Sequence, residues 1–256
     1  MTARKRLLGI SELYVAKKLL KMTNDQLDKY IQKLILFVED FPLKEAELKS
    51  AFEKKDYLTF SECFTSIRAM LTSIHADELA EECLKLIDDL AGAKHEKVEA
   101  HMTYLLSLLT MLSIDIQMAV YKDEDDEQSV PETSPQGLEV YNILAVDDNA
   151  FFLDTLKKAL QGTDYKLICV NSGAAALKFI EKNTPDLFIL DIEMPEMDGY
   201  ELAQKIRENG QKAPILFLTG NATKEYVKQA IKAGAADFIV KPITQKQVLK
   251  RIGKFI

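Results

Sequence analysis

The sequence predicts a multi-domain protein in which an all-α helical bundle precedes an α/β domain built on a doubly wound, five-stranded parallel sheet. Apolar residues recur every three or four positions through the first part of the chain, which is the period of helices that bury one face. An acidic stretch with Pro and Ser but no apolar periodicity follows, and beyond it short β-rich runs alternate with helical stretches. We therefore predict a bundle over 1–121, an acidic linker over 122–139 and the α/β domain over 140–256.

Four amphipathic helices account for the apolar stripes of the first domain. The stripes run from Leu27 to Val38, from Phe60 to Ile74 and from Leu79 to Leu90, and the last helix covers about 97–121. Breaks are expected at 40–42, 75–77 and 91–93, where proline or small and polar residues interrupt the pattern. Short connections between helices that each carry one apolar stripe favour an antiparallel bundle.

One segment of the bundle, residues 104–121, is apolar enough to be considered as a membrane span. Asp115 and Gln117 interrupt it, and a span needs about 20 mostly apolar residues, so a buried bundle helix is favoured and no membrane partner is expected. The three cysteines stand far apart and form neither a CxxC pair nor a zinc-ligand pattern (Cys63, Cys83 and Cys169). A reducing cytoplasm is the expected location.

The charge balance of the chain argues against binding to nucleic acid. The formal net charge is −7, and no long stretch rich in Lys and Arg is present to neutralise phosphates. We therefore expect no nucleic-acid partner.

Five strands alternate with five helices in the second domain. The strand segments are YNILAV, KLICV, DLFIL, PILFL and ADFIV. The helical segments between and after them are FFLDTLKKAL, AAALKFIEK, YELAQKIREN, KEYVKQAIKAG and QKQVLKRIGKF. Continuous apolar runs such as DLFIL suit strands buried on both faces, which predicts a parallel sheet covered by helices on both sides. Ligands of such sheets bind at the carboxyl ends of the strands.

Polar side chains with a common chemistry stand where four of these strands end. Asp147 and Asp148 follow the first strand, Asp191 the third, Thr219 the fourth and Lys241 the fifth. Three carboxylates brought together resist ionisation unless a cation shares the site, and oxygen ligands select a hard ion such as Mg²⁺ or Mn²⁺. The Lys and the Thr add a positive charge and a hydroxyl donor, which completes the parts of a phosphoryl-transfer site. Taken singly, a strand-end Asp is more often a helix cap, and a lone Thr or Lys is more often a surface residue.

The order and spacing of these residues resemble the receiver domain of two-component response regulators, which has a flavodoxin-like fold. The acidic pair, the lone Asp followed by MPEMDG, the Thr and the Lys before Pro carry the resemblance, which covers Tyr141 to Ile256. It implies that Asp191 is the phospho-acceptor, and that a sensor histidine kinase or a phosphotransfer protein is the phosphodonor. It also implies that Thr219 and Lys241 each bind a phosphoryl oxygen.

The same resemblance implies the ligands of the metal. Asp148, Asp191 and the backbone carbonyl of Glu193 would hold Mg²⁺ (or Mn²⁺), and Asp147 would contact it directly or through water. Phe238 stands where receiver domains carry an aromatic switch residue that turns inward when the Thr is drawn toward the phosphoryl group, although core packing is an equal interpretation. A cis peptide before Pro242 is likewise implied by the resemblance alone.

The segment FTSIRAMLTSIHADELAEECLKLID resembles the central hairpin of a histidine phosphotransfer domain. In that register Thr65 takes the place of the phosphorylated His, Arg68 that of the Lys and Ala69 that of the Gly. Because a hydroxyl cannot form the phosphoramidate that a relay needs, we predict a degenerate phosphotransfer bundle that docks a partner, or its own receiver, without carrying phosphate. The three histidines stand outside the family frame (His75, His95 and His101).

These observations favour a response regulator that signals to a downstream protein target through protein contacts. We expect no enzymatic activity beyond its own phosphorylation and dephosphorylation. Two alternatives stay open: a phosphorelay intermediate, which the Thr at position 65 argues against, and an aspartate-nucleophile phosphatase. Such phosphatases place two Asp residues two positions apart after the first strand, whereas Asp147 and Asp148 are adjacent. Steady turnover of phosphate monoesters would distinguish a phosphatase.

Overall fold

A computed structural model of the chain describes residues 3–13, 15–90, 95–121, 140–220 and 223–256. The residues described fall into two compact units, one helical and one α/β. The predicted acidic linker, residues 122–139, and the predicted break at 91–93 lie outside the described residues. The bounds of the two domains stay a prediction.

Within the described residues of the helical unit, two short helices are followed by four long ones. They are α1 (Ala3–Leu7), α2 (Ala16–Leu19), α3 (Asn24–Glu53), α4 (Tyr57–Ser73), α5 (Asp77–Leu90) and α6 (His95–Tyr121). Helices α3 and α5 both pack against α4 and against α6, so the four long helices enclose one apolar core. Side-chain caps define where two of them begin: Thr23 accepts from the Gln26 amide before α3, and Asp56 accepts from the Thr59 amide before α4.

The break predicted at 40–42 is wrong, because α3 continues through Pro42. Proline lacks the amide hydrogen that would bond to the carbonyl of Val38, which usually kinks or ends a helix. Here both halves of the helix contribute buried residues to the same core, with Phe41 before the proline and Leu48 after it. Tertiary packing of one continuous apolar face therefore outweighs the loss of a single hydrogen bond. The break predicted at 75–77 is confirmed in part, since α4 ends at Ser73 and α5 begins at Asp77.

Helix α6 is long and apolar enough, over Lys97–Tyr121, to cross a membrane by length and composition. Most of its most apolar window, 67%, is buried inside the structure. Several of its apolar residues belong to the bundle core, including Leu105, Leu109 and Leu112. This burial is typical of the core helix of a bundle, as the sequence predicts.

The α/β unit contains the five parallel strands and five helices that the sequence predicts. The strands are β1 (Tyr141–Val146), β2 (Tyr165–Val170), β3 (Leu187–Asp191), β4 (Ile215–Thr219) and β5 (Asp237–Val240). The helices are α7 (Ala150–Ala159), α8 (Gly173–Ile180), α9 (Gly199–Glu208), α10 (Lys224–Lys232) and α11 (Gln245–Ile252). The strand order β2-β1-β3-β4-β5, with every pairing parallel, is that of the flavodoxin-like fold.

Burial of the strands follows their place in the sheet. Every residue of β3, β4 and β5 is buried, whereas β2 at the edge is only partly covered. Helices α7 and α11 cover one face of the sheet, and α8 and α9 pack against each other and against β1 and β3. The direction of chain progression along the sheet reverses between β1 and β3, so the carboxyl ends of these two strands flank the crevice where such folds bind ligands.

A buried ion cluster attaches the last helix to the last strand. Asp237, at the start of β5, accepts from Arg251 at 2.8 Å and from Lys254 at 2.7 Å. Its Oδ1 also accepts from the backbone amide of Phe238 at 2.8 Å. Arg251 is only 1% exposed, so this pair is largely shielded from solvent. The cluster fixes the strand that leads directly to Lys241.

Candidate functional site

Three carboxylates meet at the carboxyl ends of β1 and β3. Asp147 and Asp148 follow Val146, which pairs with Leu190 on β3, and Asp191 is the last residue of that strand. One oxygen of each carboxylate lies within 4.8 Å of an oxygen of the other two. The parallel register of the two strands therefore brings together groups that are more than forty positions apart in the sequence.

Lys241 places its ammonium group between two of these carboxylates. Its Nζ lies 2.8 Å from Oδ1 of Asp191 and 3.1 Å from Oδ2 of Asp147. The backbone amide of the same residue donates to the carbonyl of Thr219 at 2.8 Å, and the peptide bond to Pro242 is cis. The lysine thus reaches the acidic group from the end of β5 and neutralises part of its negative charge.

The three carboxylates differ in exposure. Asp147 is fully buried and Asp191 is 5% exposed, whereas Asp148 is exposed to solvent. Burial raises the pKa of Asp191, while the hydrogen bond and the charge of Lys241 lower it, and the neighbouring Asp147 and Asp148 raise it. The surplus of negative charge over the single lysine fits a divalent cation with oxygen ligands, and Asp148 offers such an ion access from solvent.

The loop after β1 holds the Asp147 carboxylate in place through a short hydrogen bond. The second oxygen of Asp147, Oδ1, accepts from the Asn149 amide at 2.8 Å. The Asn149 side chain in turn accepts from the Phe151 amide at 3.0 Å and caps α7. The same turn that starts the helix therefore orients the Asp147 carboxylate.

Thr219 ends β4, one position past the level of the phospho-acceptor candidate. Asp191 pairs with Leu218, and Thr219 pairs with Val240, which precedes the lysine. The threonine is 4% exposed. The side chain of Glu193 is exposed in the loop after β3, and the roles implied for its carbonyl and for Thr219 stay predictions.

Phe238 lies in the interior of the α/β unit, 1% exposed. Its ring centroid is 6.2 Å from that of Phe217, which in turn lies 5.4 Å from that of Tyr200. The Tyr200 hydroxyl donates to the carbonyl of Tyr226 at 3.1 Å. This inward position is consistent with core packing and with the inward state of an aromatic switch, so both interpretations stay open.

Two residues beside the site have contacts that the sequence interpretation did not anticipate. The Lys241 ammonium lies 3.9 Å from the centre of the Phe152 ring, a cation–π contact that helps to hold the lysine over the acids. Gly199, the first residue of α9, donates its amide to the carbonyl of Ile192 at 2.9 Å. A Cβ at this position would overlap the backbone carbonyl oxygen of Asp191. The glycine belongs to the MPEMDG motif, which is the signal that could have identified it.

Substituting Gly199 by Ala is expected to destabilise the chain, because the added methyl group has to displace the backbone of Asp191. Overpacking of this kind costs about 1–3 kcal/mol. Urea unfolding followed by circular dichroism measures the loss. Gly220→Ala is the matched control, since no atom of the described residues lies within 4 Å of a Cβ built there. Equal unfolding midpoints for Gly199→Ala and the wild type would contradict the close approach.

The predicted phosphotransfer position of the bundle lies on an exposed part of α4. Thr65 is exposed, and its hydroxyl donates to the carbonyl of Ser61 at 2.9 Å. Arg68 and Ala69 are exposed on the same helix. The structure thus gives the threonine a local hydrogen bond typical of helices, and the assignment of the bundle as a degenerate phosphotransfer domain stays a prediction.

The histidines of the bundle have other surroundings. His75 lies in the turn between α4 and α5, and its ring stacks on Tyr30 with centroids 6.3 Å apart. His101 on α6 contacts Glu82 at 3.5 Å and Asp89 at 3.4 Å, both on α5. The side chain of His95 lies outside the described residues.

The fold and the acidic group at its strand ends define a receiver, the class of signalling module that accepts a phosphoryl group. Residues 143–253 match the family described as the response regulator receiver domain, and the chain belongs to that family. The resemblance stated from the sequence motifs is thereby confirmed for these residues. The helical unit lies before the matched range.

Known relatives are similar to the α/β unit. Chemotaxis protein CheY of Bacillus subtilis is 36% identical over 115 residues, which are 44% of this chain and 96% of that protein. Response regulator MprA of Mycobacterium leprae is 34% identical over 110 residues, 43% of this chain, so the chain spans about half (48%) of the length of that relative. The solved structure of CheY4 from Vibrio cholerae is 29% identical over 46% of this chain and 100% of that one, with a TM-score of 0.45.

Proposed function

We propose that this chain is a response regulator of a two-component system that accepts a phosphoryl group on Asp191. The observation that carries the proposal is the position of this carboxylate beside Asp147 and Asp148, with Lys241 bound to it at 2.8 Å. Family membership supports phosphoryl-accepting signalling as the general role. The phosphodonor is a sensor histidine kinase or a phosphotransfer protein, and the output is a contact with a downstream protein target.

In the proposed step, a carboxylate oxygen of Asp191 attacks the phosphorus of the donor. The bond from phosphorus to the donor nitrogen, or to the oxygen of a small acyl phosphate, breaks as the new bond forms, and the leaving group keeps the electron pair. The product is an acyl phosphate on Asp191. Lys241 and the hydroxyl of Thr219 bind phosphoryl oxygens, and their charge and hydrogen bond stabilise the negative charge in the transition state.

A divalent cation fits the same group of oxygen ligands. Asp148, Asp191 and the backbone carbonyl of Glu193 would hold Mg²⁺ or Mn²⁺, and Asp147 would contact it directly or through water. When bound, the ion supplies positive charge that offsets the three carboxylates and the phosphoryl oxygens. The exposed position of Asp148 and the buried positions of Asp147 and Asp191 suit an ion that keeps part of its water shell.

For the helical unit we propose an interaction module that does not carry phosphate. Thr65, at the position implied for the phosphorylated His, can supply only a hydroxyl, and it is already bonded to Ser61. The two histidines whose side chains are described are held elsewhere, His75 against Tyr30 and His101 between two carboxylates. These contacts favour a bundle that binds a partner over one that relays phosphate.

Phosphate transfer from a radiolabelled histidine kinase tests both parts of the proposal. Label is expected in residues 140–256, in the base-labile form typical of an acyl phosphate. The bundle is expected to stay unlabelled. Base-stable, acid-labile label within residues 1–121 would show a phosphohistidine and would favour the phosphorelay intermediate. Sustained release of phosphate from a simple phosphate monoester would instead favour the phosphatase alternative.

A further inference from the structure

The ammonium group of Lys241 contacts an aromatic ring as well as two carboxylates. Its Nζ lies 2.8 Å from Oδ1 of Asp191, 3.1 Å from Oδ2 of Asp147 and 3.9 Å from the centre of the Phe152 ring. An ammonium group carries three N–H bonds, so the two carboxylates and the ring face match its donors in number. The lysine side chain is only 16% exposed, which limits competition from water. The phosphoryl-transfer step proposed above uses the carboxylates and the lysine but gives the ring no part.

The proposed step requires the lysine to change partners. In this structure its ammonium is bonded to Asp191, the carboxylate that attacks the phosphorus, whereas after the transfer it binds a phosphoryl oxygen. The hydrogen bond to Asp191 therefore has to break as the phosphoryl group arrives. Hydrogen bonds to carboxylates depend on angle, but a ring attracts a cation across its whole face. The contact with Phe152 can therefore persist while the hydrogen-bond partner changes.

The position of the Phe152 ring is set by the turn that leads into α7. The amide of Phe152 donates to the carbonyl of Asn149 at 3.1 Å, and the amide of Asn149 donates to Oδ1 of Asp147 at 2.8 Å. The ring is half-buried and packs against the apolar core of the α/β unit. The ring and the Asp147 carboxylate thus belong to one hydrogen-bonded turn, so the place of the ring beside the acids does not depend on the lysine.

We infer that Phe152 is a positioning residue of the phosphoryl transfer. Its ring face holds the Lys241 ammonium at the site while the ammonium exchanges the Asp191 carboxylate for a phosphoryl oxygen. The inference rests on the proposed function, and the ring acts through the lysine without touching the phosphoryl group. A phenylalanine that served core packing alone would depend on the shape of the ring, whereas this role depends on the negative charge of the ring face.

Replacing Phe152 in the full chain by phenylalanines with one, two and three ring fluorines separates these two roles. Fluorine withdraws electron density from the ring face and weakens the cation–π contact, while the ring stays apolar and nearly unchanged in shape. Intact mass over time, with Mg²⁺ and several concentrations of acetyl phosphate, gives the rate of adduct formation. The rate at saturating acetyl phosphate is expected to fall with each fluorine, by at least about threefold for three, as expected for a cation–π contact partly shielded from water.

The same fluorine series at Phe179, a half-buried ring on α8, is the matched control and should keep the wild-type rate. Phe152→Leu keeps an apolar side chain without a ring face, and it should lose at least as much rate as the trifluorinated protein. Urea unfolding of each protein should give midpoints that do not follow the number of fluorines at position 152.

Three results would overturn the inference while the proposed function stands. They are equal rates across the series at Phe152, an equal fall across the series at Phe179, and a fall that tracks the unfolding midpoint instead of the number of fluorines. The absence of a phosphoryl adduct in the wild type is a different failure. It would overturn the proposed function, and the inference with it.

Discussion

The variant Asp191→Asn is expected to take up no phosphoryl group from acetyl phosphate and Mg²⁺, whereas the wild type gains the mass of one phosphoryl group. The amide cannot act as the nucleophile, because its oxygen lacks the negative charge of a carboxylate and is far less nucleophilic. Asp147 is a poor substitute in the proposed step, since it is fully buried and both of its oxygens are engaged, one by Lys241 and one by the Asn149 amide. Intact-mass analysis measures the outcome.

The control for this substitution is Asp154→Asn, an exposed residue of α7 that pairs with Lys157 at 3.3 Å. It makes the same chemical change in the same unit without touching the acidic group, and it should be phosphorylated like the wild type. A phosphoryl adduct of equal yield in Asp191→Asn would contradict the assignment. It would require an acceptor elsewhere in the chain.

The variant Asp148→Asn is expected to be phosphorylated at least about 100-fold more slowly than the wild type, which is the usual effect of removing one charge-stabilising group from a transition state. The substitution removes one of the oxygen ligands proposed for the metal. Because Asp148 is exposed, its folding cost should be small, which separates the effect from general loss of structure. Chelation of divalent metal from the wild type should abolish phosphorylation.

The rate of adduct formation, followed by mass over time at several Mg²⁺ concentrations, checks this prediction. The rate of Asp148→Asn should still rise with Mg²⁺ at concentrations that saturate the wild type, because the loss of one ligand weakens the binding of the ion. Unchanged rates in Asp148→Asn, or phosphorylation that persists after chelation, would rule out the proposed metal ligands. Asp154→Asn again serves as the control.

The acidic site could be anticipated from the sequence because parallel strands deliver their last residues to one edge of the sheet. Buried strands such as DLFIL are continuous apolar runs, so their ends, and therefore the positions of Asp191 and Thr219, are well marked. The contact of Lys241 with two carboxylates follows from the same geometry. Long-range pairing in the fold is thus encoded locally, by where each apolar run stops.

Contacts that depend on the close packing of particular atoms could not be anticipated in this way. The Phe152 ring of α7 lies 3.9 Å from the Lys241 ammonium, a contact between residues far apart in the sequence that no local pattern records. The close approach of Gly199 to the backbone of Asp191 is likewise a property of the folded loop. Sequence spacing indicates which residues share an edge of the sheet, but not which atoms touch there.

The helical unit shows the limits of local rules more clearly. Pro42 predicts a break, yet α3 runs through it because the residues on both sides bury into one core. The short helices α1 and α2 were not predicted, since segments of five and four residues have too few turns to show a period. Their burial depends on tertiary contacts such as that of Arg6 with the carbonyl of Ala119, 113 positions later.

The most direct test of the central claim is to identify the phosphorylated residue itself. The full chain is phosphorylated with acetyl phosphate and Mg²⁺, the acyl phosphate is reduced with borohydride, and the digested peptides are sequenced by tandem mass spectrometry. The account predicts one modified position, Asp191, where reduction converts the phosphorylated aspartate to homoserine, and no phosphorylated residue in the bundle. Modification of any other carboxylate, or phosphate on a residue of 1–121, would contradict it.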